Sequence, residues 1–454
     1  MHLFYLLCLS VASSVSLRAQ RTQVLTEAPG RGVNAHQLQS FLKADVPEAK
    51  AVRIDFGPQN ETGICEPSIA IDPTKPNVVY AAAVLNHFYE STDGGQTWRA
   101  SALTSSYGVW GDPCLVVDGS GRVYYFHLSD PAGSNWGSEA ILDRIVCQTK
   151  DAPGAEFSFN NGSFTQVNGK KHDKEWAAVD PYSGKIALTW TQFDQYGKKD
   201  ESCTSRILYS ESTDGGKTWS TPVEPSSFLG DCEDDDGTAE GVVPTFDSRG
   251  NVYFAWSLNN SIYFTKGLGR NGWETEVITQ QKAGWAQSYA GFSRSNGMPI
   301  TVCDTYERSP FHNRIYVCWG DQSPRTGGEI YVMHSDNRGK TWSMPKSIGN
   351  GGASDQFMPW LTVDPTSGYL YAVYYDRRGT KEENETNTYL AVSKDGGEHW
   401  TEQRINEAPF YPSDRVFMGD YNHISAYGGY VRPIWTELNN GQKSIWTYLY
   451  TEKQ

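Results

Sequence analysis

Ser91-Thr92-Asp93-Gly94-Gly95-Gln96-Thr97-Trp98 is written four times with small changes, returning at Ser212 to Trp219, Ser335 to Trp342 and Ser393 to Trp400. In such a stretch Asp accepts hydrogen bonds from the backbone of its own turn, Gly supplies the positive φ of a chain reversal, and Ser or Thr adds a local hydroxyl contact. The closing Trp carries a large ring with one polar N–H, a shape suited to wedging between sheets. Each copy therefore reads as a hairpin that folds the chain and takes no part in catalysis. The third copy, Ser335-Asp336-Asn337-Arg338-Gly339-Lys340-Thr341-Trp342, departs slightly, with its Asp and Gly displaced.

Beside the hairpins runs a second repeat, a short apolar strand ending in Asp or a polar turn and then a strand rich in Tyr, Val and Trp. It pairs residues 67–73 with 78–84, 113–118 with 122–128, 176–181 with 185–190 and 243–247 with 251–256. It continues with 299–304 and 314–319, 360–365 and 369–375, and 421–427 and 430–435. Seven units at roughly 45 to 65 residue spacing predict an all-β fold, a single β-propeller of four-stranded blades. Six blades are the alternative if two units merge. Eroded hairpins at Thr149-Lys150-Asp151-Ala152-Pro153-Gly154 and Thr265-Lys266-Gly267-Leu268-Gly269 fall where the regular ones are missing. The last unit ends after residues 443–451, one strand short, and residues 51–56 read as the strand that completes it, closing the ring with the N-terminal end.

The Ser-x-Asp-x-Gly-x-x-Trp pattern of the four hairpins resembles the Asp-box, or BNR repeat, of the sialidase superfamily. The resemblance implies a propeller over about residues 60 to 450. It also implies a sialidase-like, exo-acting glycoside hydrolase. Members of that superfamily hold the sugar carboxylate with three arginines and use a Tyr–Glu nucleophile pair with an Asp acid/base. The superfamily's Arg-Ile-Pro motif has only a distant echo here, Arg53-Ile54-Asp55, which falls in the closing strand. Arg377, Arg378, Arg415 and Arg432 are available as an anion clamp, and Tyr421 follows Asp420.

Residues 1–19 read as a signal peptide, 20–50 as a lead-in and 51–454 as the propeller domain. The apolar stretch from Leu3 to Leu17 is too short to span a bilayer, and no later segment is apolar enough to cross one. Export to the cell surface, envelope or medium removes Cys8 and leaves seven cysteines, an odd number, in a compartment that favours disulfides. Cys303 with Cys318 and Cys203 with Cys232 are the candidate pairs. Sequons stand at Asn60, Asn161, Asn259 and Asn384. The net charge of −14 argues against nucleic acid or an anionic membrane as partner, since both need a positive field. The expected partner is a carbohydrate or glycoprotein glycan, met by a monomer with no membrane insertion.

In a propeller the loops that lead into the innermost strands ring one mouth of the central channel. Alignment of the seven units places Glu66, Asp112, Asp173 with Glu175, Glu240, Asp355 and Asp420 just ahead of six of them. Three roles compete for these acids. They can act as general acid and base, with crowding raising a pKa. They can ligate Ca²⁺, the one cofactor considered, through oxygen. They can simply accept backbone hydrogen bonds at strand starts. Glu66, Asp112, Glu240, Asp420 and Tyr421 are the candidate catalytic residues; Arg378, Arg415, Asp355 and Asp173 are the candidates for substrate binding. No metal ligand set is assigned: the acidic run Asp231 to Asp236 lacks EF-hand spacing and reads as a solvated loop, and His172 reads as a surface histidine. Two functions follow, a secreted sialidase-like hydrolase at the channel mouth, or a non-catalytic propeller that binds glycan or protein.

Overall fold

The structure, a computed structural model, describes residues 49–56, 63–158, 169–269, 272–324, 326–349 and 354–452. The signal segment 1–19, nearly all of the lead-in 20–50 and the sequons at Asn60 and Asn161 lie outside the described residues. Among the described residues no helix is long and apolar enough to cross a membrane.

Seven antiparallel sheets stand in a ring, a seven-bladed β-propeller. Their innermost strands are Ser68–Ile71, Gly111–Val117, Lys171–Val179, Glu240–Phe246, Ile300–Cys303, Gln356–Val363 and His423–Tyr427, here numbered blades 1 to 7. Each innermost strand touches the next, and the seventh returns to the first, so the circle is closed. Blades 1, 4, 5, 6 and 7 have four strands. Blades 2 and 3 have three, extended by isolated bridges, Thr149 to Ser158 in blade 2 and Tyr209 to Val223 and Ser205 to Gly230 in blade 3. The fourth strand of blade 7 is Lys50–Phe56, paired antiparallel with Gln442–Thr451, as the sequence predicts.

The hairpin chemistry is as expected. Ser91 Oγ donates to Asp93 Oδ1 at 2.8 Å, Gly95 N–H donates to Ser91 Oγ at 2.8 Å, and the Thr97 hydroxyl donates to Asp93 Oδ2 at 2.6 Å. Trp98 Nε1 donates to the Gly95 carbonyl at 2.9 Å. In the third copy nothing is displaced: Asn337 takes the place of Asp, accepting from the Ser335 hydroxyl at 3.0 Å and from the Thr341 amide at 2.9 Å. An Asn carbonyl oxygen accepts these bonds as a carboxylate does. The tryptophans wedge between blades, Trp219 against Phe126 and Trp342 against Phe264, both edge-on.

A contact that the sequence does not announce ties neighbouring blades. Arg122, Arg314 and Arg432 each reach into the hairpin of the following blade and donate to the carbonyl of Gly215, Gly396 and Gly94 respectively. Arg432 is fully buried and also donates to the Val431 and Tyr450 carbonyls at 2.7 Å, joining blade 7 to blade 1 across the closure.

Of the two candidate disulfides, Cys203–Cys232 is formed and Cys303–Cys318 is not. In blade 5 Cys303 lies opposite Ile315 and Cys318 opposite Ile300, so the two thiols sit at opposite ends of the pairing and cannot meet.

Replacing Arg432 by Leu strands three buried carbonyls. The expected result is a drop in Tm of about 3–6 °C, read by thermal unfolding, with the chain otherwise folded. An unchanged Tm would remove this arginine from the closure.

Candidate site at the channel mouth

The axial channel, about 270 Å³, is walled by all seven innermost strands. Its upper end is stopped by a stack of buried rings: Trp176 and Trp360 lie 4.2 Å apart between centroids, His423 packs against both, and Tyr421 meets Trp176 edge-on at 5.0 Å. Immediately above this plug the chain enters the innermost strands through β-bulges. The register breaks between Gly111 and Cys114, between Glu240 and Val243, between Phe357 and Trp360, and opposite Lys174.

The crest residues of these bulges have positive φ, Asp112 (49°), Lys174 (52°), Gly241 (74°) and Met358 (51°), and so does Glu66 (51°) where the chain enters blade 1. Only Gly adopts this conformation without cost; each of the others stores roughly 1–2 kcal/mol of backbone strain. At Gly241 a side chain would also collide, since a Cβ there would lie 2.6 Å from Trp285. In blades 2, 3 and 4 the bulge carries the crest residue and the one before it, and Asp112, Asp173, Lys174 and Glu240 meet there with Glu66 and Asp420 from the segments that enter blades 1 and 7.

Seven carboxyls and two cations form the cluster. Lys174 Nζ donates to Asp420 Oδ2 at 2.7 Å and stands 3.8 Å from Asp112 Oδ2. Arg294 holds Asp420 with two nitrogens, its Nε donating to Oδ1 at 2.8 Å, and reaches Asp234 Oδ2 at 3.2 Å. The Asp420 amide donates to Glu66 Oε1 at 3.1 Å, and Glu66 and Asp112 are close enough to shift each other's proton affinity. Glu175 and Glu240 are buried with no hydrogen-bond partner for either oxygen, and the Tyr421 hydroxyl has none.

Two cations cannot neutralise seven buried carboxylates, so protons must. Burial, reinforced by Glu66, pushes Asp112 up to about 8. Burial likewise raises Glu66, Asp173, Glu175 and Glu240, the last two far above the ordinary range of a glutamate. At Asp420 burial works the same way, but Arg294 and Lys174 outweigh it and hold the carboxyl well below the usual carboxylate range. Burial also opposes the Lys174 ammonium; Asp420, Asp173 and Asp112 nonetheless keep its pKa well above that of a free lysine. At neutral pH Asp420 is therefore an anion clasped by two cations, and carboxylic acids that still carry protons surround it.

A hairpin roofs the mouth. Ala286–Gln287 pairs with Ser295–Asn296, and between them Phe292 packs on Phe357 and Tyr375 while Ala290 accepts from Arg377. Asn296 Nδ2 donates to the Asp420 carbonyl at 2.9 Å. Arg294, 30% exposed, is the group of the cluster most open to solvent; Asp112 and Asp234 follow at 11%.

Some predicted residues stand outside these contacts. Asp355 pairs with Arg377 at 3.6 Å and accepts from the Gly328 amide. Arg378 is bound by Asp376 and Glu402 and lies over Tyr389, and Arg415 is exposed. None of the contacts made by Arg377, Arg378, Arg415 or Arg432 reaches the acid cluster. Two readings need correction. The run at 231–236 is no solvated loop: Asp234 binds Arg294 and Tyr196, and Asp236 accepts from the roof at Ala286. His172 is buried, not at the surface, and accepts from Trp190 Nε1 at 2.8 Å, with burial lowering its pKa to about 4. Among the described residues no group of acids, histidines or cysteines has the arrangement to hold a metal ion.

A model of the BNR/Asp-box repeat matches residues 89–100, the first of the four hairpins, so the β-propeller carries at least one repeat of this kind. No curated protein matches the sequence. Among solved structures, a protein of unknown function from Dyadobacter fermentans is similar over 75% of this chain and 94% of its own, with 10% identity and a TM-score of 0.51. An ulvan lyase of a polysaccharide lyase family is similar over 88% of this chain and 96% of its own, with 13% identity and a TM-score of 0.52. A Hadza microbial sialidase follows at 82% and 73% coverage, 12% identity and a TM-score of 0.43. Identities this low speak for the fold alone.

The proton inventory has a consequence for stability. An Asp112 whose folded pKa is raised favours the native state fully below about pH 4, and that contribution is lost as pH rises through about 8. Asp112→Asn removes the dependence. Its Tm should gain on the wild type by about 2–4 °C between pH 5 and pH 9. Parallel Tm curves across that range would show that Asp112 is ionised in the native state.

Proposed function

We propose that the protein is an extracytoplasmic, sialidase-like glycoside hydrolase whose chemistry lies at the acid-lined channel mouth. The observation that carries this reading is the division of labour within one buried cluster, where Asp420 is an anion and Asp112 keeps a proton near neutrality. Glycosidic bond cleavage needs that combination, an acid to protonate the leaving oxygen and a carboxylate to face the developing positive charge of the sugar. Asp112 takes the first role and Asp420 the second, with neighbouring Glu66 helping to keep the proton on Asp112. Lys174 is a positioning residue, since it keeps Asp420 ionised.

Glu240, Glu175 and Tyr421 supply donors without partners, which suits the hydroxyls of a sugar; left unpaired in the empty fold, such groups cost about 1–3 kcal/mol each. The backbone strain at Glu66, Asp112 and Lys174 supports the same reading, because strained left-handed residues gather at functional sites. A polysaccharide lyase among the structural neighbours fits a glycan as substrate. The disulfide Cys203–Cys232 fits an oxidising compartment outside the cytoplasm. Asp173 and Arg294 would meet the substrate at the rim, Arg294 as the cation nearest solvent. Arg378, Arg415 and Asp355, each held by other contacts or lying apart, are not assigned to the site.

A second reading, glycan binding without turnover, draws on one observation: the cluster acids are almost wholly buried beneath the 286–296 hairpin, so a substrate can reach them only if the roof lifts.

Turnover separates the two. The full mature chain, incubated with sialyl-lactose, ulvan, polygalacturonate and xyloglucan, should release reducing sugar from at least one of them. Asp112→Asn should lower kcat by about 10²-fold or more. The wild-type kcat/KM should fall as pH rises through about 8, where the Asp112 proton is lost. No release from any of these glycans by folded protein would rule out the hydrolase and leave the binding reading.

A further inference from the structure

Beside the mouth three aromatic rings form a platform, in which Trp110 and Tyr196 pack against the core and Trp136 stands out from it. Trp136 sits on the short turn Asn135–Gly137, which contributes no buried residue, and the ring is 40% exposed. Trp110 meets it edge-on, with centroids 6.1 Å apart at 84°. Tyr196 lies against it at 5.4 Å and 32°. The rings come from blades 2 and 3, in segments far apart along the chain.

The platform is joined to the acid cluster in two ways. Trp110 precedes Asp112 by two residues, so the backbone that carries the ring continues into the bulge that aims the carboxyl. Tyr196 donates its hydroxyl to Asp234 Oδ2 at 2.6 Å, and Asp234 is bound to Arg294, which clasps Asp420. The disulfide Cys203–Cys232 ties the chain that follows Tyr196 to the chain that precedes Asp234. A ring face is thus held at a fixed place next to the acids, with exposed Gln195, Lys198 and Lys199 along its border.

We propose that Trp136, framed by Trp110 and Tyr196, is a sugar-stacking subsite that takes a pyranose ring of the same glycan chain whose cleaved bond lies at the mouth. The proposal rests on the glycan reading above and deepens it. A pyranose presents C–H groups on one face and hydroxyls around its edge; an exposed indole offers an apolar surface for the first, and polar side chains at its border offer partners for the second. A buried core aromatic would be enclosed on all sides, and a docking surface for a protein would need a far larger apolar patch than one ring on a polar turn.

Affinity electrophoresis of the full mature chain in native gels containing ulvan, polygalacturonate, xyloglucan or mucin tests this directly. At least one polymer should retard the wild type. Trp136→Ala, which removes an exposed side chain and should leave Tm unchanged, should weaken that retardation by roughly 3- to 10-fold. Tyr196→Phe keeps the ring and should bind within about twofold of the wild type. Asp112→Asn should be retarded as the wild type is, whatever it does to turnover. Equal retardation of Trp136→Ala and wild type overturns the platform, as does the absence of retardation by every polymer. If Trp136→Ala loses binding while Asp112→Asn leaves turnover intact, the platform stands and the acid assignment falls.

Discussion

The pairing of Lys50–Phe56 with Gln442–Thr451 holds the ring shut, and every other feature of the site presupposes that closure. An open arc of sheets would expose the edges of its first and last blades and leave their innermost strands unpacked on one side. Sharing one blade between the two chain ends removes both problems. Arg432, buried where blade 7 meets blade 1, donates to carbonyls on both sides of that junction. Hydrogen bonds between innermost strands continue the clasp, with Ile69 N–H donating to His423 Nδ1 and Ile71 N–H to Ser425 Oγ. Closure also explains how residues 354 apart in sequence, Glu66 and Asp420, come to share a hydrogen bond.

Once the ring is closed, electrostatics rather than packing governs the mouth. Burying a carboxylate is costly unless it is paired, and here pairs are available for two of seven. Burial raises the proton affinity of the rest. A core built for stability alone would place apolar side chains at these positions, since well-packed apolar groups are often as good as buried ion pairs or better. The strained crest residues point the same way: Met358 shows that an apolar side chain fits the bulge geometry, yet the equivalent positions in blades 1, 2 and 3 carry Glu66, Asp112 and Lys174. Stability does not call for charge at three adjacent blades.

Much of this was legible from residues whose role is local. The Ser-Asp-Gly-Trp hairpin encodes its own hydrogen bonds within eight residues, and the alternation of strand and Asp-ended turn marks each innermost strand, so the seven blades and the closing strand follow from short-range chemistry. The acids were legible only to within a residue or two. Asp112 occupies the crest of its bulge, Asp173 and Glu240 the position before it in theirs, and a sequence repeat does not reveal that a bulge presents both positions to the mouth. Arg294 had no local signal, because it belongs to an insertion between blades 4 and 5 that follows no repeat. Lys174 was hidden in a polar run that also holds His172, and Asp234 in an acidic run that looks solvated until Arg294 is set against it. The cysteine pairing failed at Cys303 because strand register, not proximity in sequence, decides which side chains face each other.

The roof and the proton inventory are physically coupled. Phe292 and Ala290 fasten the hairpin to blade 6 through apolar packing and a hydrogen bond from the Arg377 guanidinium to the Ala290 carbonyl. Its fastening over the mouth is ionic, Arg294 to Asp420 and Asp234, and the second of these is held in place by Tyr196 and a segment tied by the disulfide. Arg294 is also the strongest influence keeping Asp420 ionised against the pull of burial. Any movement that lifts the hairpin must draw the guanidinium away from Asp420, which raises the proton affinity of that carboxyl, and by linkage a change in the protonation of Asp420 alters how firmly the hairpin is held. Access to the acids and the charge they carry are therefore two aspects of one equilibrium, with Lys174, which does not ride on the hairpin, as the cation that remains when the roof opens.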